Sequence, residues 1–198
     1  MIEIFNYCGI VAFAISGALT GIKNKMDWFG VMVLGITCAF GGGLFRDILL
    51  HKEIPWMFEN WTYLVVALIT SLLCLIPKFN KRFDKLNKAL LIMDTIGISV
   101  FSVVGAKAVI DYGNTLYTIF VGTITAVGGG IICDLFADQK PRIFVSDFYA
   151  SSCILGIFAM IIFWQVNQQY AVIVGAAVVI ATRALAIQKN WGKNPKNK

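Results

Sequence analysis

Gly35-Ile36-Thr37-Cys38-Ala39-Phe40-Gly41-Gly42-Gly43-Leu44-Phe45-Arg46-Asp47 and Gly122-Thr123-Ile124-Thr125-Ala126-Val127-Gly128-Gly129-Gly130-Ile131-Ile132-Cys133-Asp134 share one pattern, Gly-x-x-x-Ala-x-Gly-Gly-Gly-x-x-x-Asp. Both stretches lie inside long apolar runs. Three adjacent glycines weaken a helix, and a carboxylate in hydrocarbon is costly unless it faces water. The pattern therefore predicts duplicated, interrupted helices bearing buried acids. Such helices suit a membrane pathway for ions or small solutes.

Around the two stretches the chain of 198 residues is 58% hydrophobic and 14% charged, with a mean hydropathy of +0.76. A soluble domain rarely carries so much apolar surface with so few charges. Seven runs of spanning or near-spanning length occur, at about 4–22, 28–50, 61–77, 90–110, 115–137, 143–164 and 170–187. A helix needs ~20 residues to cross ~30 Å of hydrocarbon, and tilt or thinning accommodates shorter ones. Met1-Ile2-Glu3 carries an acid where a signal peptide would be basic. The reading is an all-α integral membrane protein with seven transmembrane helices.

The net charge of +6 is distributed as a topology signal. With the N-terminus outside, 13 of the 17 basic residues fall in inner segments, among them Lys23, Lys25, Lys78, Lys81, Arg82, Lys140, Arg142 and Lys189. The positive-inside rule gives an outer N-terminus and a cytoplasmic C-terminus in a prokaryotic inner membrane. Attraction to anionic lipid headgroups is a second effect, and nucleic acid is not an expected partner. The five cysteines (Cys8, Cys38, Cys74, Cys133 and Cys153) lie within or near apolar runs with no Cys-x-x-Cys pair, and read as small buried hydrophobes. His51 is the single histidine. No metal-ligand cluster and no nucleophile–base constellation appears, so neither a metal site nor an enzyme is expected.

The likeness between halves extends beyond the glycines. Gly9, Ile10, Phe13, Gly17 and Ala18 match Gly97, Ile98, Phe101, Gly105 and Ala106 at a register of 88; at the triplets the register is 87, and Pro55-Trp56-Met57-Phe58 lines up with Pro141-Arg142-Ile143-Phe144. The chain thus reads as one transmembrane domain over residues 1–198. Its parts are repeat one at about 5–77, a basic cytoplasmic linker at 78–89, repeat two at about 90–164, a seventh helix at 170–187 and a basic tail at 188–198. Three spans per copy is odd, so the second copy enters from the opposite side. Such inverted 3+3 repeats place sites near the midplane at broken helices.

The candidate site residues follow from that frame. Gly41, Gly42, Gly43, Gly128, Gly129 and Gly130 are either kinks beside a cavity, with freed carbonyls as ion partners, or small residues that let two helices cross closely. Asp47 and Asp134 fall one turn beyond the triplets, one toward each mouth, where negative charge concentrates cations. Arg46 precedes Asp47, but Cys133 precedes Asp134, so the two mouths differ. Arg46 is either part of a gate or one half of an ion pair. Lys107, inside the fourth span, is a gating candidate with Asp47 as partner, or it snorkels to the interface. Asp94 has Arg142 or Lys140 as potential partners. Ser16, Thr37, Ser99 and Thr125 are weak pore-hydroxyl candidates that equally bond back to their own helices. Phe40 and Phe45 form a constriction or ordinary packing. Trp28, Trp56, Trp61, Trp164 and Trp191 fit interfacial belts.

Met26-Asp27-Trp28-Phe29-Gly30 through Gly41-Gly42-Gly43-Leu44-Phe45-Arg46-Asp47-Ile48-Leu49, with the doubled triplet, resembles the prokaryotic trimeric intracellular cation (TRIC) channels over nearly the whole chain. The resemblance implies a homotrimer with one hydrophilic pore per protomer, between kinked second and fifth helices. It further implies potassium conduction, with potassium or sodium as the transported ion and no cofactor. Lys107 falls at a candidate basic gating position of the fourth helix. The same bacterial branch contains proteins regarded as glycine transporters (UPF0126), which implies secondary transport of glycine or another small zwitterion as the alternative. Cys133 stands where close relatives often repeat an arginine.

Overall fold

A computed structural model describes residues 2–76, 86–145, 148–189 and 191. Most of the basic linker and of the tail lies outside the described residues. The elements are α1 Ile2–Lys23, α2 Trp28–Leu49, α3 Trp56–Glu59, α4 Trp61–Leu73, α5 Leu86–Lys107, a 3₁₀ turn Ile110–Tyr112, α6 Thr115–Phe136, α7 Arg142–Val145, α8 Tyr149–Trp164 and α9 Gln168–Lys189. No strand occurs among the described residues.

Five helices, α1, α2, α5 with its 3₁₀ extension, α6 and α9, are long and apolar enough to cross a membrane. The helices expected at 61–77 and 143–164 are shorter, with 13 residues in α4 and 16 in α8. At ~1.5 Å per residue, 13 residues reach only about 20 Å. Asn60, extended, caps α4 at its expected start by accepting from the Thr62 N–H, and the helix ends early, at Leu73, with turns over 74–76. Phe148, with φ of 51°, sits in the left-handed region just before α8.

Polar residues at the helix ends set the boundaries of the long elements. Asp27 caps α2 by accepting from Gly30 N–H at 2.7 Å, and Asn114 caps α6 by accepting from Tyr117 N–H at 3.0 Å. Both helices end alike. Lys52 N–H donates to the Asp47 carbonyl beyond a left-handed His51, and Gln139 N–H donates to the Asp134 carbonyl beyond a left-handed Asp138. These are Schellman ends built without glycine.

The triplets do not divide their helices. α2 runs unbroken through Gly41–Gly43, and α6 through Gly128–Gly130, so half-helices with freed carbonyls are absent. The other reading, close crossing, is what the geometry contains. A Cβ on Gly42 would overlap the Thr125 carbonyl, and one on Gly129 would overlap the Cys38 carbonyl. Gly41 and Gly128 repeat the exchange: a Cβ on either would lie 3.1 Å from the Cα of Gly129 or Gly42. Because 42 meets 125 while 38 meets 129, α2 and α6 run antiparallel. Backbone–backbone contact of this kind offsets the ~1 kcal/mol by which each glycine disfavours a helix.

The remaining helices wrap this crossing. α1 packs against α2 and α5, α5 against α6, and α4 and α8 lie outside. Gly35 meets Ser71 of α4, and Gly122 meets Ile157 of α8, at equivalent places. α9 packs mainly on α8 and α5. Trp28 and Trp61 are exposed as a belt requires, but Trp56 and Trp164 are buried. Cys38, Cys74, Cys133 and Cys153 are buried and Cys8 is exposed.

Candidate functional site

Beyond each triplet the same construction appears. After α2 the chain turns at His51 and Pro55 and enters α3; after α6 it turns at Asp138 and Pro141 and enters α7. Asp47, only 1% exposed, accepts the Trp56 backbone N–H at 2.7 Å, and so caps α3. Asp134, equally buried, accepts the Arg142 N–H at 2.8 Å and caps α7. Each carboxylate also holds a guanidinium. Arg46 Nε donates to Asp47 at 2.8 Å, and Arg142 Nε donates to Asp134 at 3.1 Å. Neither acid is a bare mouth charge as expected. Burial would be prohibitive without these partners, and with them each is a folded structural pair.

The arginine comes from different places in the two copies. In the first it precedes the acid; in the second it follows the proline, where the first copy has Trp56. From the sequence alone Arg142 is a potential partner of Asp94 and not a site residue. Its signal was the Pro55-Trp56 and Pro141-Arg142 alignment beside the missing arginine at Cys133.

Arg142 does more than pair with Asp134. Its Nη1 donates to fully buried Asp94 at 2.8 Å and to Ser16 Oγ of α1 at 3.2 Å. Asp94 also accepts from Tyr149 Oη at 3.0 Å, and Arg183 of α9 stacks over the Tyr149 ring at 4.7 Å. This end of the bundle is therefore tied across α1, α5, α6, α8 and α9. The expected pairing of Asp94 is with Arg142 and not with Lys140.

The opposite end is looser. By the repeat registers Asn6, Trp56 and Tyr63 stand where Asp94, Arg142 and Tyr149 stand in the second copy. No hydrogen bond among the described residues joins their side chains. Trp56 packs on Phe40, Tyr63 and Phe101 and lies under Arg46. A cavity of about 280 Å³ opens beside them, lined by Ile2, Asn6, Arg46, Lys52, Trp56, Glu59, Tyr63, Val104, Lys107 and Ala108. Lys107 lines it without bonding to Asp47, whose oxygens are taken by Arg46 and the Trp56 N–H.

The hydroxyl candidates divide. Ser16 joins the Arg142 cluster, Ser99 donates to the Ile96 carbonyl and Thr125 to the Val121 carbonyl, while Thr37 is half-buried. Phe40 is buried against Trp56; Phe45 is 41% exposed and lies over Gly128. No group of His, Cys, Asp and Glu among the described residues is placed to hold a metal.

A helical bundle with charged clusters buried on both sides of an intramembrane glycine crossing defines an integral membrane protein of the channel and transporter class. The sequence profile described as glycine transporter matches residues 3–78 and again 91–165. The chain belongs to this family, which includes the UPF0126 membrane proteins. It is 38% identical to the UPF0126 inner membrane protein YadS of Escherichia coli K12, over 91% of this chain and 88% of that one. A UPF0126 membrane protein of Deinococcus radiodurans is 33% identical over 94% and 87%. Solved structures of TRIC channels superpose on the chain. One, described for conductance through TRIC cation channels, has a TM-score of 0.85 at 38% identity, covering 96% of this chain and 94% of its own. A prokaryotic TRIC channel in 0.5 M KCl has a TM-score of 0.90 at 29% identity, covering 96% of each chain. The orthologue from Rhodobacter sphaeroides has a TM-score of 0.89 at 26% identity, covering 96% of this chain and 98% of its own.

Proposed function

We propose that the protein is a channel for monovalent cations, chiefly potassium, with a hydrophilic pathway in each protomer alongside the α2–α6 crossing. The observation that carries this reading is the buried charge on either side of that crossing: Arg46 with Asp47, and Asp94 with Arg142 and Asp134. Such charge is expensive inside a membrane protein and is typically kept where it serves an ion or substrate route. Likeness to the TRIC channels supports the same reading and a homotrimeric assembly.

In this reading all seven apolar helices cross the inner membrane, the second three-helix unit inverted relative to the first. The N-terminus lies outside. The cavity beside Lys107 then opens outward, and the Arg142 cluster faces the cytoplasm. Arg142 serves as a latch. While it bridges Asp94 and Asp134, neither carboxylate is free to attract a cation. Its withdrawal exposes two negative charges at the inner mouth, which raises the local cation concentration. The triplets supply close packing around which the ends move, and Lys107 biases the outer end.

A second reading, secondary transport of glycine or another small zwitterion, is favoured by one observation. The cavity wall carries a surplus positive charge, which repels cations and suits a carboxylate. Planar-bilayer recording of the purified protein in asymmetric KCl, followed by glycine, separates the two. Unitary currents reversing near the potassium potential are expected. Silent bilayers together with saturable glycine uptake into liposomes would replace the channel by the transporter.

A further inference from the structure

We propose that Cys38 and Cys133 form a peroxide-sensitive disulfide, a redox lock that staples α2 to α6 at the glycine crossing. Both side chains are 0% exposed, and one thiol donates to the other in a side-chain hydrogen bond. The crossing puts them there. Gly42 faces Gly129, since a Cβ on Gly42 would lie 3.3 Å from the Gly129 nitrogen. The two helices are antiparallel, so one turn earlier on α2 and one turn later on α6 stand Cys38 and Cys133. On its other side Cys38 is covered by α1, where a Cβ on Gly17 would lie 2.7 Å from the Cys38 Cβ.

The other three thiols are placed differently. Cys153 donates to the Tyr149 carbonyl at 3.7 Å, Cys74 lies in a separate apolar cluster with Ala18 and Val31, and Cys8 is exposed. Helices whose glycine backbones touch come closer than the usual ~8–10 Å between axes. That approach brings facing residues into disulfide range, Cα···Cα of about 4.4–6.8 Å. By the repeat register the equivalent positions on the other side of the crossing hold Thr125 and Arg46, so the thiol pair marks one end only. Cys133 precedes Asp134, and Arg142, which holds Asp134, also acts electrostatically on Cys38. The pair therefore lies against the tied end.

Burial shields both thiols from large or charged oxidants. Hydrogen peroxide is uncharged and little larger than water. One sulfur, as thiolate, attacks a peroxide oxygen; an S–O bond forms, the O–O bond breaks, and the departing hydroxide takes up the released proton as water. The second sulfur then attacks that sulfenic acid; the S–S bond forms, the S–O bond breaks, and a second water leaves with the second thiol's proton. Two thiols are oxidised and one peroxide is reduced. A partner already in contact intercepts the sulfenic acid before it oxidises further. The new bond holds α2 to α6 one residue from Asp134, which restrains the end about the crossing. It follows from the placement of the thiols alone, so it stands whether the protein conducts cations or moves a zwitterion.

The test is treatment of the purified full-length protein with hydrogen peroxide, followed by denaturation, alkylation and mass spectrometry. Two of the five thiols are expected to escape alkylation and to return after dithiothreitol, and digestion should yield one linked peptide containing Cys38 and Cys133. Cys133→Ala should abolish both the link and the protection. The oxidised protein should unfold at a midpoint higher by about 5 °C or more, reversed by dithiothreitol, because a cross-link closing so long a loop constrains the unfolded chain. Whichever flux the reduced protein shows in liposomes, potassium or glycine, should fall several-fold and recover on reduction. Five alkylatable thiols after peroxide, a link between other cysteines, or sulfinic acid without a link would overturn the pairing. A midpoint that does not rise, or an unchanged flux, would overturn the lock. Should Cys133→Ala not fold, the peptide map of the unaltered protein still decides.

Discussion

At Asp134 one side chain does the work that two do at Asp47. Arg142 caps the acid's charge, provides the N–H that the acid itself caps, and crosses to Asp94 and Ser16. Removing it takes from two buried carboxylates the guanidinium that bridges them. Arg142→Gln is therefore expected to lower stability by about 3–5 kcal/mol, the usual loss when one partner of a buried pair is deleted. In the channel reading it also raises the fraction of time spent conducting. Asp134→Asn should reduce potassium conductance, whereas Asp47→Asn, at the end where Arg46 remains, should destabilise without opening the inner end. Thermal midpoints and single-channel records check these outcomes; Arg142→Gln channels that stay as closed as the parent would remove the latch. Much of this cluster was legible in sequence. Both acids, the triplets and Arg142 as one of two potential partners of Asp94, beside Lys140, could be read from spacing and depth. The role of Arg142 at Asp134 could not, because it depends on a proline turn folding back one helix end, and the aligned position holds Trp56.

The triplets illustrate how an element overrides the preference of its residues. Three glycines in a row read first as a kink beside a cavity and only second as a crossing, because local propensity favours the kink. What decides is the partner helix, since α6 brings its own glycines to the same level and the two backbones meet. Likewise the apolar runs at 61–77 and 143–164 are continuous in composition, yet α4 and α8 are short. α4 ends early, at Leu73, and a left-handed Phe148 starts α8 late, and hydropathy carries no trace of either. The contacts at the crossing make a graded prediction. Gly42→Ala and Gly129→Ala drive a methyl group into a carbonyl of the facing helix, and Gly43→Ala drives one into the Trp56 indole. Each should cost about 1–3 kcal/mol or more, as overpacking does. Gly130→Ala meets nothing nearer than Tyr149 Oη at 3.2 Å. There the gain in helix propensity, about 1 kcal/mol, should leave stability nearly unchanged. Unfolding midpoints of the four variants give the order. Equal losses at Gly42 and Gly130 would mean that backbone freedom, not close approach, is what the triplet supplies.

The whole molecule is less symmetric than its repeats. One end is tied by Arg142 through five helices, and the other holds a cavity with an unpaired lysine. α9, which has no counterpart, runs the length of the bundle: Ala171 and Val172 join the cluster of Ile110 and Trp164, and at the tied end Arg183 stacks on Tyr149. Duplication thus supplies two equivalent frames, and a few substitutions at equivalent positions (Asn6 for Asp94, Trp56 for Arg142) make one tight and one open. In the channel reading, two opposed ends of unequal closure around a fixed crossing make up a complete route within one chain. Assembly as a homotrimer should then give three independent pathways rather than a shared central one. Trimers assembled from a mixture of unaltered and Asp134→Asn subunits test this in bilayers. A trimer with one variant subunit is expected to open in three separate steps, two of full amplitude and one smaller. Openings in a single step of intermediate amplitude would place the pathway on the threefold axis, and the buried charge flanking the glycine crossing would then serve folding instead of conduction.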